Sequence, residues 1–252
     1  MTEIPKSHPR YASLVARERV ADGVKRGFTS TQGLIAQGRG EAFDYLIGEK
    51  TTPSAANATR AAAAMLLLAE RPTLSVNGNV AALVPQEMVE LAGALGAPLE
   101  VNLFHRTEER VGKIADLLRS LGAEEVLGER PDAAVPGLEH DRAKATRGGI
   151  YDADVVLIPL EDGDRCEALV KMGKKVIAID LNPLSRTSRM ATISIVDNIV
   201  RAVLNLTSAV RELSKASRDE LQKILEDYDN NKILCQAVEE IQAHLAEQFR
   251  ET

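Results

Sequence analysis

Five segments of the chain are polar, charged and glycine-rich beyond what a plain fold requires. In Gln37-Gly-Arg-Gly-Glu-Ala-Phe-Asp-Tyr45, two glycines flank Arg39. They clear space for a large anion to meet the guanidinium; the competing reading is a helix break with a solvated arginine. In Ser75-Val-Asn-Gly-Asn-Val-Ala-Ala82, a strand ends in a tight turn and a helix follows. Amides at that helix start, with Asn77 and Asn79 as neutral donors, suit a phosphate or carboxylate. The same residues also make an ordinary Asn-Gly turn. Phe104-His-Arg-Thr-Glu-Glu-Arg110 puts Arg106 at a strand end, Thr107 at a helix N-cap, and Arg110 within reach of a carboxylate. Pro159-Leu-Glu-Asp-Gly-Asp-Arg165 gathers Glu161, Asp162 and Asp164 around a glycine. Such oxygens suit Mg²⁺ with a nucleotide, or they cap the next helix.

The fifth segment says most. In Asp180-Leu-Asn-Pro-Leu-Ser-Arg-Thr-Ser-Arg-Met-Ala191, a strand ends in Asp180 and a hydroxyl-rich loop carries Arg186 and Arg189. Acidic and amide groups at a strand end can hold ribose or base, and hydroxyls with arginines can hold phosphates. Val196-Asp-Asn-Ile-Val200 then opens a helix at the next strand end, where Asn198 can meet an adenine edge. Two adjacent strand ends with this chemistry point to a ligand rather than to solvent.

These residues need a scaffold that delivers strand ends to one edge, and the patterning supplies it. Short apolar runs predict strands at Thr73–Asn77, Leu99–Phe104, Glu124–Leu127, Asp154–Pro159, Lys175–Asp180 and Thr192–Val196. Helices Pro85–Leu95, Glu108–Leu121 and Arg165–Met172 fall between them. Strand–helix repetition implies right-handed crossovers and a Rossmann-like, doubly wound, mostly parallel α/β sheet of about six strands. The long Gly128–Gly149 segment, with Pro131, Pro136 and a Gly-Gly pair, marks the crossover where strand order reverses and a crevice opens.

Residues 1–71 read as a helical N-terminal region, 72–200 as the nucleotide-binding core and 201–252 as C-terminal helices. The N-terminal helices are Arg10–Arg26, Ser30–Ile47 with a break at Gly38-Arg39-Gly40, and Thr52 to Glu70. Arg60–Ala69 is apolar nearly all round and needs cover on more than one side; a dimer that buries this region or the C-terminal helices between its subunits is expected. The last helices are Asn198–Ser214, Arg218–Tyr228 and Lys232–Arg250, the second opened by a capping box at Ser217 and Glu220.

Several functions are excluded or disfavoured. Asn77-Gly78-Asn79 after the first strand is no G-x-G-x-x-G fingerprint, and no P-loop or G-x-S-x-G elbow occurs. The four histidines and two cysteines show no zinc spacing; Cys166 and Cys235 read as reduced and structural. A net charge of −6 argues against sequence-blind nucleic-acid binding. The polar N-terminus and the lack of a run of about 20 apolar residues predict a cytoplasmic chain that does not span a membrane. With no Trp and 3% aromatics, the core must be aliphatic and Ala-rich.

The chain resembles the archaeal phosphopantothenate synthetases, or 4-phosphopantoate–β-alanine ligases. The likeness runs from Ile4-Pro-Lys-Ser-His-Pro-Arg-Tyr11 to about Arg201. It includes Gly38-Arg-Gly-Glu-Ala-Phe-Asp-Tyr-Leu-Ile-Gly-Glu49, Val76-Asn-Gly-Asn-Val-Ala-Ala-Leu-Val-Pro85, Arg106-Thr-Glu-Glu-Arg110, Pro136-Gly-Leu-Glu-His140, Pro159–Arg165, Asp180–Arg186 and Val196–Ile199. It implies a homodimeric, ATP-dependent ligase of coenzyme A biosynthesis. Such an enzyme joins 4-phosphopantoate to β-alanine through an acyl adenylate and releases AMP and diphosphate, with Mg²⁺ accompanying ATP. By motif match the ATP contacts fall on Arg17, Arg39, Asp180, Leu181, Asn182, Arg186, Thr187, Asn198 and Ile199. Arg39 and Arg186 are the phosphate candidates. Asn77 and Asn79 would orient the acyl substrate, and Lys6, His8, Arg10 and Arg106 are further candidates for its phosphate. In the family's pattern a histidine often precedes Gly-Arg-Gly; here Gln37 stands there, which removes a histidine base at that point. The rival readings are a nicotinamide oxidoreductase, which should carry the missing fingerprint, a kinase, which leaves ADP, and a non-catalytic nucleotide-binding regulator.

Overall fold

The computed structural model describes residues 4–248. Three helices come first: α1 (Tyr11–Arg26), α2 (Thr31–Ile47) and α3 (Pro53–Leu68). The first half of the sheet follows as β1 (Pro72–Val76), α4 (Gly78–Leu83), α5 (Pro85–Leu95), β2 (Leu99–Val101), α6 (Glu108–Ser120) and β3 (Val126–Leu127). A long crossover carries the short strands β4 (Ala133–Ala134) and β5 (Lys144–Ala145), with a single 3-10 turn at Asp141–Ala143. The second half is β6 (Val155–Pro159), α7 (Gly163–Lys171), β7 (Lys175–Ile179), α8 (Arg186–Met190) and β8 (Ile193–Ile195). Helices α9 (Ile199–Leu213), α10 (Arg218–Glu226) and α11 (Asn230–Gln248) complete it. The last two residues of the Lys232–Arg250 helix expected from sequence lie outside the described residues.

The six-stranded sheet has the order β3-β2-β1-β6-β7-β8, and every pairing in it is parallel. The reversal falls between β1 and β6, and the Gly128–Gly149 crossover carries the chain from β3 at one edge to β6 across it, as the sequence pattern required. Alternation along the strands assigns the two faces. Leu74, Val76, Val155, Leu157, Ile177 and Ile193 share a core with α3, α5, α6 and α9. Val156, Ile158, Val176 and Ala178 share another with Cys166 and Leu169 of α7 and with Val135 and Ile150 of the crossover. Small side chains replace aromatics in the first of these cores. Ala58, Ala62, Ala63 and Ala64 of α3 are fully buried.

Two expectations need correction. The helix α2 runs without a break through Gly38-Arg39-Gly40. Each interior glycine costs about 1 kcal/mol of helix propensity, but buried ionic anchors offset it. Glu41 takes Arg17 in a two-pronged contact at 2.7 Å on both arms, and Asp44 takes Arg201 of α9 at 2.6 Å. The Ala-rich helix α3 is covered within its own chain by α9, α10, α11 and β8. Its all-round apolarity therefore needs no second subunit.

The crossover is held down by one buried carboxylate. Glu100 of β2 is fully buried and accepts from the Thr146 amide at 3.0 Å and the Ile150 amide at 2.7 Å. Gly149 packs directly against it, where any side chain would collide with the carboxylate. Burial pushes the Glu100 pKa up to about 7, against the pull of the two amides and of Arg165 and Arg106. An acid with a raised folded-state pKa contributes stability that is complete below its ordinary value of 4.5 and is lost as pH rises through about 7. The stability of the protein relative to Glu100→Gln should therefore fall by about 3 kcal/mol or less between pH 4.5 and 8. Urea unfolding of both proteins across that range checks this, and parallel pH curves would refute it.

Candidate functional site

A cleft of about 590 Å³ opens over the C-terminal ends of the strands, at the reversal between β1 and β6. Asn77, the residue after β1, fixes its floor. The amide nitrogen donates to the carbonyls of Pro159 and Leu160 at 3.0 Å each. The amide oxygen accepts from the Asn79 and Val80 amides at 3.1 Å each, capping α4. All four hydrogen-bonding positions of this carboxamide are thus taken by the protein. Gly78 follows because a Cβ there would stand 2.5 Å from the Phe28 carbonyl. Asn79 donates to the Gly33 carbonyl at 3.0 Å and accepts from the Thr29 hydroxyl, tying α4 to the link between α1 and α2.

On the β7–β8 side the cleft wall is the Asp180–Thr187 run. Asp180 accepts from the Asn182 amide at 2.9 Å and the Ser185 hydroxyl at 2.5 Å. Burial raises its pKa, while these two bonds and the field of Arg39 oppose the rise. Ser185 caps α8, so Arg186 and Thr187 form that helix's first turn. Arg186 is exposed and pairs with Glu167 of α7, and Thr187 donates to the Glu161 carbonyl at 2.8 Å. Asn198 caps α9 and donates to Asp44 at 2.7 Å. The Asn182 amide oxygen accepts from the Leu184 amide at 2.9 Å, and its NH₂ group makes no protein hydrogen bond among the described residues. Arg39 faces this run from α2, exposed and without a carboxylate partner among the described residues. Buried Leu181 and Ile199 supply apolar surface.

On the β2 side the cleft meets two further arginines. Arg110 donates to the carbonyls of His105 and Phe28, the latter at 2.9 Å, and no carboxylate pairs with it among the described residues. Its Nε is buried without a partner, and burial lowers its pKa. Arg142 rises from the 3-10 turn of the crossover. It lies 2.5 Å from Glu161 and 3.1 Å from Asp162, yet neither contact aligns an N–H with a carboxylate oxygen. Glu161 also pairs with the fully buried Arg165, which donates to the Ser75 hydroxyl at 3.3 Å.

The cleft therefore collects Arg39, Asn77, Asn79, Asp180, Leu181, Asn182, Arg186, Thr187, Asn198 and Ile199. It does not collect Arg17, Lys6, His8, Arg10 or Arg106. Arg17 lines a neighbouring hollow of about 290 Å³ and is held by Glu41. Arg10 donates to the Tyr45 hydroxyl at 2.8 Å in the same cluster, and the His8 ring accepts from the Arg10 amide at 3.0 Å. Lys6 is exposed. Arg106 donates to the Gly128 carbonyl at 2.6 Å. Nor do Glu161, Asp162 and Asp164 converge: the first two face Arg142, and Asp164 meets His140 at 2.8 Å. No cluster of three metal-binding side chains occurs among the described residues. Sequence reasoning missed Arg142, whose only signal was its place two residues past the Pro136–His140 block. It also missed the role of Arg165, which read as the first residue of a helix.

A doubly wound α/β sheet with a cation-lined crevice at its reversal, and no glycine fingerprint, defines a class of proteins that bind anionic ligands without the dinucleotide motif. The comparisons with known proteins narrow that class. The profile of the phosphopantothenate/pantothenate synthetase family matches residues 54–244, and the chain belongs to this family. A 4-phosphopantoate–β-alanine ligase of Methanosarcina mazei is 61% identical over 252 residues, covering 100% of this chain and 99% of the relative. Those of Thermococcus onnurineus and Thermococcus kodakarensis are 62% and 59% identical over 235 and 246 residues. They cover 93% and 97% of this chain and 90% and 94% of their own lengths.

Proposed function

We propose that this protein is a 4-phosphopantoate–β-alanine ligase that uses ATP to form 4'-phosphopantothenate, a step of coenzyme A biosynthesis. The observation that carries this reading is the end-to-end likeness to ligases of that name. The cleft supports it. In the proposed route a carboxylate oxygen of the acyl substrate attacks the α-phosphorus of ATP, and the bond to diphosphate breaks. The β-alanine nitrogen then attacks the acyl carbon, AMP leaves with the electron pair, and the amine gives up a proton. Two anions must be brought together, so charge compensation and orientation are the main tasks.

Arg39 and Arg186 are assigned to the ATP phosphates, with Asp180, Leu181, Asn182, Thr187, Asn198 and Ile199 holding the nucleoside. Asn77 shapes the floor and orients ligands through the turn it caps, since its own amide is fully engaged. Mg²⁺, when bound, would neutralise charge on the triphosphate. A phosphate-borne Mg²⁺ asks for only one or two carboxylates, and Asp162 fits: it lines the cleft, half exposed, and its Oδ1 makes no hydrogen bond among the described residues. Among the described residues no helix is long and apolar enough to cross a membrane. A homodimer is also proposed, resting on the family resemblance, with light scattering expected to give twice the 27.3 kDa chain mass. A monomer at micromolar concentration would remove that part of the proposal.

Incubation with ATP, Mg²⁺, 4-phosphopantoate and β-alanine should yield AMP and diphosphate in step with amide formed, and depend on all components. ADP and phosphate as stoichiometric products would overturn the adenylate route. Arg39→Ala should raise the KM for ATP, since losing one charge-assisted hydrogen bond costs about 1.5–3 kcal/mol. Its melting temperature should hold, because the side chain is exposed and makes no hydrogen bond or ion pair among the described residues. Arg39→Lys should rescue poorly, lacking a two-pronged contact. Near-normal ATP kinetics in Arg39→Ala would make this arginine a solvated surface residue.

A further inference from the structure

The amide-forming step must dispose of two protons. β-Alanine carries an ammonium group near neutrality, because a primary amine of this kind titrates at about pH 10. One proton goes to water to free the lone pair. Once the nitrogen bonds to the acyl carbon it becomes positively charged, and a second proton must leave for the amide to form. AMP departs with the electron pair of the broken C–O bond.

Among the described residues that line the cleft there is no lysine, tyrosine or cysteine, and four side chains can act as a base: His105, Glu161, Asp162 and Asp180. Three are already committed. Glu161 is buried against Arg142 and Arg165. Asp180 accepts from the Asn182 amide and the Ser185 hydroxyl, on the side assigned to the nucleoside. Burial raises the pKa of Asp162, but Arg142 stands 3.1 Å from its Oδ2, and its other oxygen is the Mg²⁺ candidate.

His105 differs from all three. It follows β2 and is exposed, and Arg110 engages only its backbone carbonyl. Its ring nitrogens make no hydrogen bond or ion pair among the described residues. The ring stands at 76° to that of Phe104, with centroids 5.0 Å apart, and Phe104 packs in turn against His140 at the same centroid distance. An aromatic neighbour thus supports the imidazole while both nitrogens stay free. The charged groups beside it are Arg106, next in the chain, and Arg110, and neither guanidinium competes for a proton. His105 lines the β2 side of the cleft, across the reversal from the residues assigned to the nucleotide, and so is clear of departing AMP. Imidazole is the side chain that ordinarily titrates between about pH 5 and 8, and a general base works best near its operating pH. We infer that His105 is the general base of the amide-forming step. It takes the second proton from the β-alanine nitrogen at a ring nitrogen and passes it to the solvent. The assignment rests on the ligase reading.

The test uses His105→Gln, His105→Phe and His105→Ala in the full-length chain. Adenylation is read alone, as exchange of labelled diphosphate into ATP with 4-phosphopantoate and no β-alanine. Amide formation is read in a single turnover, by chasing the enzyme-bound adenylate with β-alanine. Exchange should stay within about twofold of the parent, since no contact to those ligands is lost. The chase should slow at least about a hundredfold, the lower end of what a general base supplies. His105→Phe keeps the aromatic stack, so a parental chase in that variant would reduce the residue to packing and overturn the inference. An equal loss of exchange and chase would do the same. Imidazole in the buffer should restore part of the rate to His105→Ala, whose side chain faces solvent. In the parent the chase should fall on the acid side more steeply than β-alanine's own titration requires, with the extra limb between about pH 5 and 8. That limb should vanish in His105→Gln. A limb that persists there and vanishes in Asp162→Asn would assign the base to Asp162 instead. Melting temperatures should match the parent's, because the ring is exposed and unbonded. A parent protein with neither exchange nor amide would remove the ligase reading and this assignment together. A parent with both, and variants with a parental chase, would remove this assignment alone.

Discussion

The carboxamide of Asn77 joins the two strands between which the crevice opens. In a doubly wound sheet the chain leaves β1 toward one face and β6 toward the other, and the parallel ladder between them registers Pro72 to Leu74 with Val155 to Leu157, short of the residues that Asn77 reaches. Two hydrogen bonds from one NH₂ group to Pro159 and Leu160 tie the strand ends, while the oxygen of the same group starts α4. An aspartate could cap the helix but could not donate to the carbonyls, and a serine could not span both. The width of the crevice, the start of α4 and the placement of Gly78 against Phe28 all follow from this residue. Both walls of the candidate site are built out from it.

Behind the floor lies a second ionic layer. Glu161 is shared by Arg142 and Arg165, and its backbone carbonyl takes the Thr187 hydroxyl. A buried charge cluster of this kind is a weak source of net stability, because desolvation consumes much of the Coulombic gain. Its value here is geometric. It holds one guanidinium at the mouth of the cleft and ties the β6 loop to the first turn of α8, so the two halves of the site share one support.

Much of this arrangement was legible in the chain itself. The β-branched runs at Val155–Pro159 and Lys175–Ile179 announced buried parallel strands, and the irregular Gly128–Gly149 segment announced the reversal. Hydroxyls and arginines after Asp180 marked a loop at a strand end, and the structure places it along the wall of the cleft. What was not legible depended on distant partners. The continuity of α2 comes from ion pairs with Arg17 and Arg201, which lie 24 and 157 residues from Glu41 and Asp44. The cover over α3 comes from helices at the far end of the chain. The orientation of Arg142 comes from a crossover with almost no regular structure, where periodicity says nothing about which way a side chain points.

The pairing of Arg186 with Glu167 has a consequence for how an anion enters. An anion that takes up Arg186 does so by displacing a carboxylate, not by meeting an idle charge. Lys171 already lies 2.7 Å from the other oxygen of Glu167, so the displaced carboxylate keeps a counter-ion. The event is an exchange of partners within a triad, and only the difference between two ion pairs is gained. Ionic strength weakens both sides of such an exchange, so its net effect is muted. At Arg39, which has no carboxylate partner among the described residues, added salt would act on the full attraction to an anion. On the proposed reading the two arginines would play different electrostatic parts on the same side of the cleft: Arg186 would take an anion by exchange, and Arg39 would draw one in.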